Sequence, residues 1–262
     1  MRTARFHRQM LRYALLILLL FCAASGFRYL PWSLSDSRQQ IVVRGNKVVT
    51  DEQVRSSLKS ALGRPLYLLN PHDLESDVKD LDVVQQAFVR RYCLPSPKLV
   101  VEILEEFPYA CYATEPDSEP KWVIAESGRK ISISEFPHII QPPLRIYGPA
   151  SRQFSSNEVG QWANWLNYIE KQTQSQVEAV DMRNPQSVGV QVGDLYLKLG
   201  SPDATLTRRL ARLASILSVV EPLRDRLEFI DLGLDNNIPI KLARKTDGQH
   251  SVVQLPGPHS QL

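Results

Sequence analysis

Cysteine is scarce in this chain, three in 262 residues, and several other absences remove whole classes of function with it. Cys22 lies in an apolar run, so Cys93 and Cys111 are the only thiols in the remaining ~230 residues, too few for a disulfide scaffold. Histidine is equally thin. His7, His72, His138, His250 and His259 are scattered, with no HExxH and no pair at metal-ligand spacing. No Gly-x-Ser-x-Gly elbow and no phosphate-binding glycine loop occur. Asp231 and Asp235 flank a predicted strand end, and Glu105 and Glu106 alternate on a predicted strand, so neither carboxylate pair converges on one point. Catalysis therefore has no positive support, and no cofactor or metal is expected.

A global charge of one sign is also lacking. The net charge of +3 comes from the N-terminus, where Arg2, Arg5, Arg8 and Arg12 precede the first acid, Asp36, and Arg28 follows the apolar run. Without those five, 26 Lys and Arg face 28 Asp and Glu. No basic field argues for nucleic acid as a partner.

What the N-terminus does have is an apolar run. Tyr13 to Phe27 carries no charge for 15 residues. As a helix it would reach roughly 22 Å against a hydrocarbon core of ~30 Å. A transmembrane helix over 13–30 is expected if Arg12 snorkels and Tyr29 and Trp32 sit at the interface, with residues 1–12 cytoplasmic by the arginine asymmetry. A cleaved signal peptide ending near Ala23, Ala24 and Ser25 is the rival reading. Cys22 follows the bulky Phe21 and reads as an apolar helix residue, not a lipid acceptor.

Beyond Asp36 the pattern is regular. Ile41 and Val43 predict a short strand ended by Gly45-Asn46, and Thr50-Asp51-Glu52-Gln53 predicts a capping box. Val54, Leu58 and Leu62 then give one helical face that stops at Gly63. Asn70-Pro71 predicts a second helix, with Leu74, Val78 and Leu81 as its stripe. Ala87 and Val89 alternate with Phe88 and Arg90. After "CLPSPK", Leu99, Val101 and Ile103 alternate with Val100, Glu102 and Leu104, which predicts a central, covered strand in an antiparallel pair with the one before. In that pairing Cys93 sits near the turn and Cys111 far beyond it, so the two are not expected to be bonded.

Ile41-x-Val43-x-Gly45-Asn46, Thr50, Gly63-x-Pro65-Leu66, Asn70, Val84-x-x-Ala87-x-Val89-x-Arg91, Leu99-x-Val101-x-Ile103-x-Glu105 and Pro108-x-Ala110 together resemble a POTRA domain. With the basic tail, the apolar run and a further α/β region, the chain resembles the FtsQ/DivIB family of bacterial cell-division proteins.

The second region fits that architecture. Trp122-Val123-Ile124 and Lys130-Ile131 flank a Glu126-Ser127-Gly128 turn, and "LRIYG" at 144–148 makes another strand. Ser155 and Glu158 repeat the capping-box spacing before a stripe of Val159, Trp162, Leu166 and Ile169. The tryptophans read as core in preference to a stacking platform. "VEAVDM", "VGVQV" and "LYLKL" follow, the last two joined at Gly193-Asp194. Leu206, Leu210, Leu213 and Leu217 predict a helix whose Arg208, Arg209 and Arg212 read as a solvated face in preference to a surface for nucleic acid or anionic lipid. "LEFIDLGL" (227–234) and "IPIKLAR" (238–244) are paired strands that resemble the family's C-terminal strands.

The expected fold is α+β: an N-terminal transmembrane helix, a β-α-α-β-β POTRA-like domain over 38–110, a mixed α/β domain with an extended, largely antiparallel sheet over 111–245, and a flexible tail over 246–262. The resemblance implies a non-enzymatic, single-pass inner-membrane scaffold of the divisome, with its bulk extracytoplasmic and its place the division septum. It would bind FtsB-like and FtsL-like proteins and act on a septal peptidoglycan synthase complex. The alternative is a POTRA-type envelope chaperone or polypeptide-transport component; a cleaved, soluble envelope enzyme is a weaker third class. The expected partner-binding edge strand is Ile238, Pro239, Ile240, Lys241, Leu242, Ala243 and Arg244, the last predicted strand, with one side lacking a neighbour.

Overall fold

The computed structural model describes residues 13–22, 25, 32–35, 39–93, 96–234, 237–242 and 252–256. They form two compact units, Met1–Leu81 with Gln86–Leu104, and Asp82–Gln85 with Glu105–Leu262.

The first unit is built from β1 (Ile41–Arg44), α1 (Asp51–Ser57), α2 (Pro71–Lys79), β2 (Val84–Tyr92) and β3 (Lys98–Glu105). Its sheet order is β1-β3-β2, so β3 is central, as its two-sided apolar pattern requires. β1 runs parallel to β3, with Ile41 opposite Leu99 and Arg44 opposite Glu102. Ile41, Leu99, Val101 and Ile103 are buried with Val54, Leu58, Leu74 and Val78 from the helical side. Each such side chain contributes about 1.5–3 kcal/mol by leaving water. Local signals start both helices. The Thr50 hydroxyl accepts the Gln53 N–H at 3.2 Å, and the Thr50 N–H donates to Gln53 Oε1 at 2.9 Å. Asn70 accepts the His72 N–H at 3.2 Å, with Pro71 in the first turn. Gly45 turns the chain at φ +83°, where a Cβ would stand 2.3 Å from the Ile103 carbonyl oxygen.

Two details depart from the sequence reading. The first helix does not run to Leu62; it tightens into a 3-10 turn over Leu58–Ala61, where the Ser57 hydroxyl donates to the Val54 carbonyl at 2.8 Å. Trp32, expected at a membrane interface, is 9% exposed within this unit. Its carbonyl accepts the Leu66 N–H at 2.9 Å, and its ring meets Tyr67 edge-on at 6.3 Å. Leu34 bonds to the same loop through Gly63 and Arg64. Backbone pairing and burial hold this segment to the protein.

The expected transmembrane helix over 13–30 is also corrected. Among the described residues, no helix is long and apolar enough to cross a membrane. Residues 13–22 are helical, about 15 Å at 1.5 Å per residue, half of a bilayer core. The expected cytoplasmic tail 1–12, and 23, 24 and 26–31 of the expected span, lie outside the described residues. The single-pass topology, the inner-membrane location and the membrane-anchored scaffold that depended on that span fall with it.

The second unit comprises β4 (Pro108–Ala113), β5 (Trp122–Ala125), β6 (Lys130–Ser132), β7 (Arg145–Tyr147), α3 (Ser156–Thr173), β8 (Val177–Asp181), β9 (Val188–Val192), β10 (Leu195–Gly200), α4 (Leu206–Val220), β11 (Leu227–Asp231), β12 (Asn237–Leu242) and β13 (Val252–Pro256). One mixed sheet holds them in the order β13-β12-β11-β10-β9-β8-β7-β4-β5-β6. The two long helices lie where parallel pairs demand them. α3 crosses from β7 to its parallel neighbour β8, and α4 from β10 to its parallel neighbour β11. β4 and β7 are also parallel, and the remaining neighbours are antiparallel. Register aligns Tyr112, Ile146, Val180, Val190, Leu197, Ile230 and Ile240 across the sheet, all buried. They share a core with Val159, Trp162, Leu166 and Ile169 of α3 and Leu206, Leu210 and Leu213 of α4, so the tryptophan at 162 is core.

Three further differences appear in this unit. Ser155 accepts the Glu158 N–H at 3.2 Å, but the Glu158 carboxylate is bonded to Arg152 and does not complete a box. Arg209 and Arg212 are not a solvated face. Arg209 is 5% exposed and donates to the Ser201 carbonyl and to Asp203, while Arg212 donates to the Leu232 and Leu234 carbonyls at 2.9 and 3.2 Å. These bonds tie α4 to the chain just past β10 and β11; only Arg208 of the three is exposed outright. Part of the segment expected as a tail, Val252–Pro256, pairs antiparallel with β12. Cys93 and Cys111 are free, and burial pushes the Cys111 thiol up while Arg145 opposes it.

Candidate docking surfaces

In the first unit, β2 is hydrogen-bonded to β3 on one side, and among the described residues no strand pairs with its other side. Along a strand, backbone groups of alternate residues point the same way. The Val89 N–H is directed away from the ladder, since it donates to Glu75 Oε1 of α2 at 3.0 Å; Ala87 and Arg91 therefore present their N–H and carbonyl groups on the same free edge. Glu75 also meets His72 Nδ1 at 3.1 Å. The Val89 bond, more than His72, holds the Glu75 carboxyl below its ordinary range, against an opposing effect of burial. The Arg91 guanidinium turns back onto the Leu66, Tyr67 and Leu69 carbonyls. One carboxylate from a helix thus occupies a site that a neighbouring strand's carbonyl would fill.

The face of this sheet away from its helices carries Phe88, Arg90 and Tyr92 of β2, all exposed. Beside them is a groove of about 370 Å³ lined by Arg44, Arg90, Tyr92, Lys98, Val100 and Glu102. Three cations there face one carboxylate, which Arg90 meets at 3.4 Å.

The open face of the second unit differs in charge. A groove of about 700 Å³ is lined by Arg145, Tyr147, Glu178, Asp181, Arg183 and Tyr196 among others, acids and bases in balance. Arg183 forks onto Asp181 at 2.7 Å and reaches Glu115 at 2.7 Å, so its charge is spent internally. That raises the Arg183 pKa and, chiefly through the same bond, lowers that of Asp181. Lys130 likewise lies 4.0 Å over the Tyr112 ring and donates to the Ala150 carbonyl at 3.1 Å. Burial lowers its pKa, with Arg152 adding to the effect. Among the described residues no group of three His, Cys, Asp or Glu gathers as a metal site. Asp231 is bonded to Lys198 at 3.1 Å, and Asp235 lies outside the described residues.

Residues 37–106 match the family model of the POTRA domain, FtsQ-type. The match covers the whole β-α-α-β-β unit. POTRA domains are non-catalytic protein-interaction modules, and the likeness to FtsQ is carried by this domain, with no full-length relative behind it. A comparison with curated proteins finds no match.

The sequence-predicted edge strand has neighbours on both sides. β12 lies between β11 and β13, with Ile230 opposite Ile240 and Lys241 opposite Val252. Ile238 and Ile240 are buried, Pro239 and Leu242 are half-buried, and exposed Lys241 pairs with Glu228 at 2.9 Å. Ala243 and Arg244 lie outside the described residues. The expectation of an open side failed because "VVQLP" was read with the polar residues around it. The sequence reading also missed Glu75, and the free edge it guards. The available signal was the alternation Phe88-x-Arg90-x-Tyr92: large exposed side chains on a strand whose other face is core.

Proposed function

We propose that the chain is a non-catalytic polypeptide-handling protein, a POTRA-type chaperone or transport component, which takes up extended segments of other chains by strand addition along β2. The carrying observation is that β2, in a domain matched as POTRA, pairs on one side alone among the described residues. Its free backbone groups give affinity without demanding one sequence. The test is amide hydrogen exchange of the full chain with a permanently unfolded polypeptide added. Protection of the Ala87, Val89 and Arg91 amides is expected; unchanged exchange there removes the reading.

A second line concerns residues 238–244. A partner strand that reaches β12 takes the place of β13, and FtsB-like and FtsL-like division proteins are the partners that the FtsQ-type likeness suggests, with a septal synthase complex beyond them. The facing pair Lys241 and Val252 supplies the test. A disulfide between Lys241→Cys and Val252→Cys pins β13 and is expected to abolish capture of such a partner, with recovery on reduction. Capture that ignores the lock removes β12 as the docking strand.

A further inference from the structure

The open face of the POTRA sheet carries a charge ladder that stops one strand short. Arg44 of β1 lies opposite Glu102 of β3, and Glu102 is bonded in turn to Arg90 of β2 at 3.4 Å. Read across the three strands, the row runs cation, anion, cation. Directly opposed unlike charges stabilise neighbouring strands, and like charges oppose them. Arg90 keeps donors to spare: its side chain is 61% exposed, and one Nη meets Glu102. Phe88 and Tyr92 bracket it on the same face, 51% and 47% exposed. Arg44 and Lys98 add positive charge to the adjoining groove.

We infer that β2 selects extended segments of the pattern apolar-x-acid-x-apolar, with the acid opposite Arg90 and the apolar residues opposite Phe88 and Tyr92. This rests on strand addition along β2 and adds the side-chain rule that chooses among segments. The pattern reads the same in both directions, so it serves a parallel or an antiparallel arrival. Strand addition displaces the Glu75 carboxylate from the Val89 N–H, and the partner's carbonyl replaces it. An acid on the incoming strand also continues the alternation of charge that the row already has. Glu102 in the middle of that row disfavours a polyanion such as nucleic acid or an anionic bilayer, which would lay charge over all three strands.

The test uses the full chain and short labelled synthetic strands that differ at the central residue, Phe-x-Glu-x-Phe against Phe-x-Lys-x-Phe, read by fluorescence anisotropy. The Glu strand is expected to bind about five- to tenfold more tightly, with the gap shrinking in high salt. R90E is expected to invert the preference. Because R90E also sets a like charge beside Glu102, and E102R alone would face Arg44, the double variant R90E/E102R is made together with R44E, which restores the alternation across the row and must invert the preference as well. Equal binding of both strands to the natural chain, or an unchanged preference in the variant R44E/R90E/E102R, overturns the inference. Tighter, Arg90-dependent binding of an oligonucleotide or of anionic vesicles overturns it in favour of a polyanion surface. Loss of the pattern rule while unfolded polypeptide still protects the β2 amides spares strand addition; loss of both removes both.

Discussion

The two sheets solve one problem by different means. Each covers one face with helices and must fix where those helices begin. In the small sheet the fixing is local: Thr50 with Gln53 and Asn70 with Pro71 act within one turn. In the large sheet a local cap, Ser155 on α3, is joined by bonds from farther along the chain. Arg209 and Arg212 reach from α4 to carbonyls at the ends of β10 and β11, and Trp165 Nε1 donates to Thr207 Oγ1 at 3.3 Å to join α3 to α4. The helices of the small domain start from neighbours in sequence, and in the large one a cap of that kind is supplemented by neighbours in space.

That contrast can be broken by substitution. The largest effect is expected from Trp162→Ala, which empties a buried indole site shared by α3 and the sheet and should cost about 3–5 kcal/mol in denaturant unfolding. Arg209→Ala comes next, at about 2 kcal/mol, because it removes a buried side chain that packs along the apolar stripe of α4 and ties the helix to the Ser201 carbonyl. Its neighbour Arg208→Ala is expected to stay within about 0.5 kcal/mol of the parent. Equal costs at 208 and 209 would return the helix to a solvated arginine face.

Thr50→Ala, a local change in the small domain, is expected to cost about 1 kcal/mol, and Ser155→Ala in the large unit no more, since its box is half made. A Ser155→Ala cost well above that of Thr50→Ala would undo the contrast between local and distant control.

The smallest effect belongs to Glu75. Its carboxyl is held below the ordinary value of 4.5, so the bond to Val89 contributes fully above that pH and is lost as pH falls through the lowered folded value. Carboxyl titration by NMR, followed together with the Val89 amide, should show one shared acidic midpoint, and Glu75→Gln should remove it. A midpoint at or above 4.5 would separate Glu75 from the strand edge.

Legibility in the sequence follows the same division. Thr50, Asn70, Gly45 and the alternation at 99–103 each act over a few residues, so reading in order finds them. Arg209 was misread because charge was weighed and position was not: it stands three residues after Leu206 and four before Leu213, on the apolar stripe. β13 was missed because its pairing is recorded in β12 and not in its own polar surroundings. The apolar run at 13–27 was overread, since uncharged length proposes a span, and among the described residues no helix is long and apolar enough to make it.

The strap at 32–35 gives the first unit a mechanical order. Three backbone hydrogen bonds, Leu34 to Arg64, Gly63 to Leu34 and Leu66 to Trp32, tie the chain to the loop after α1 before it reaches β1. Tension applied upstream of Trp32 loads those bonds and the indole first. β1 then resists lengthwise, in shear against its parallel neighbour β3, where every rung shares the force. Under such a load the strap is expected to yield before the sheet does, with the three strands left paired.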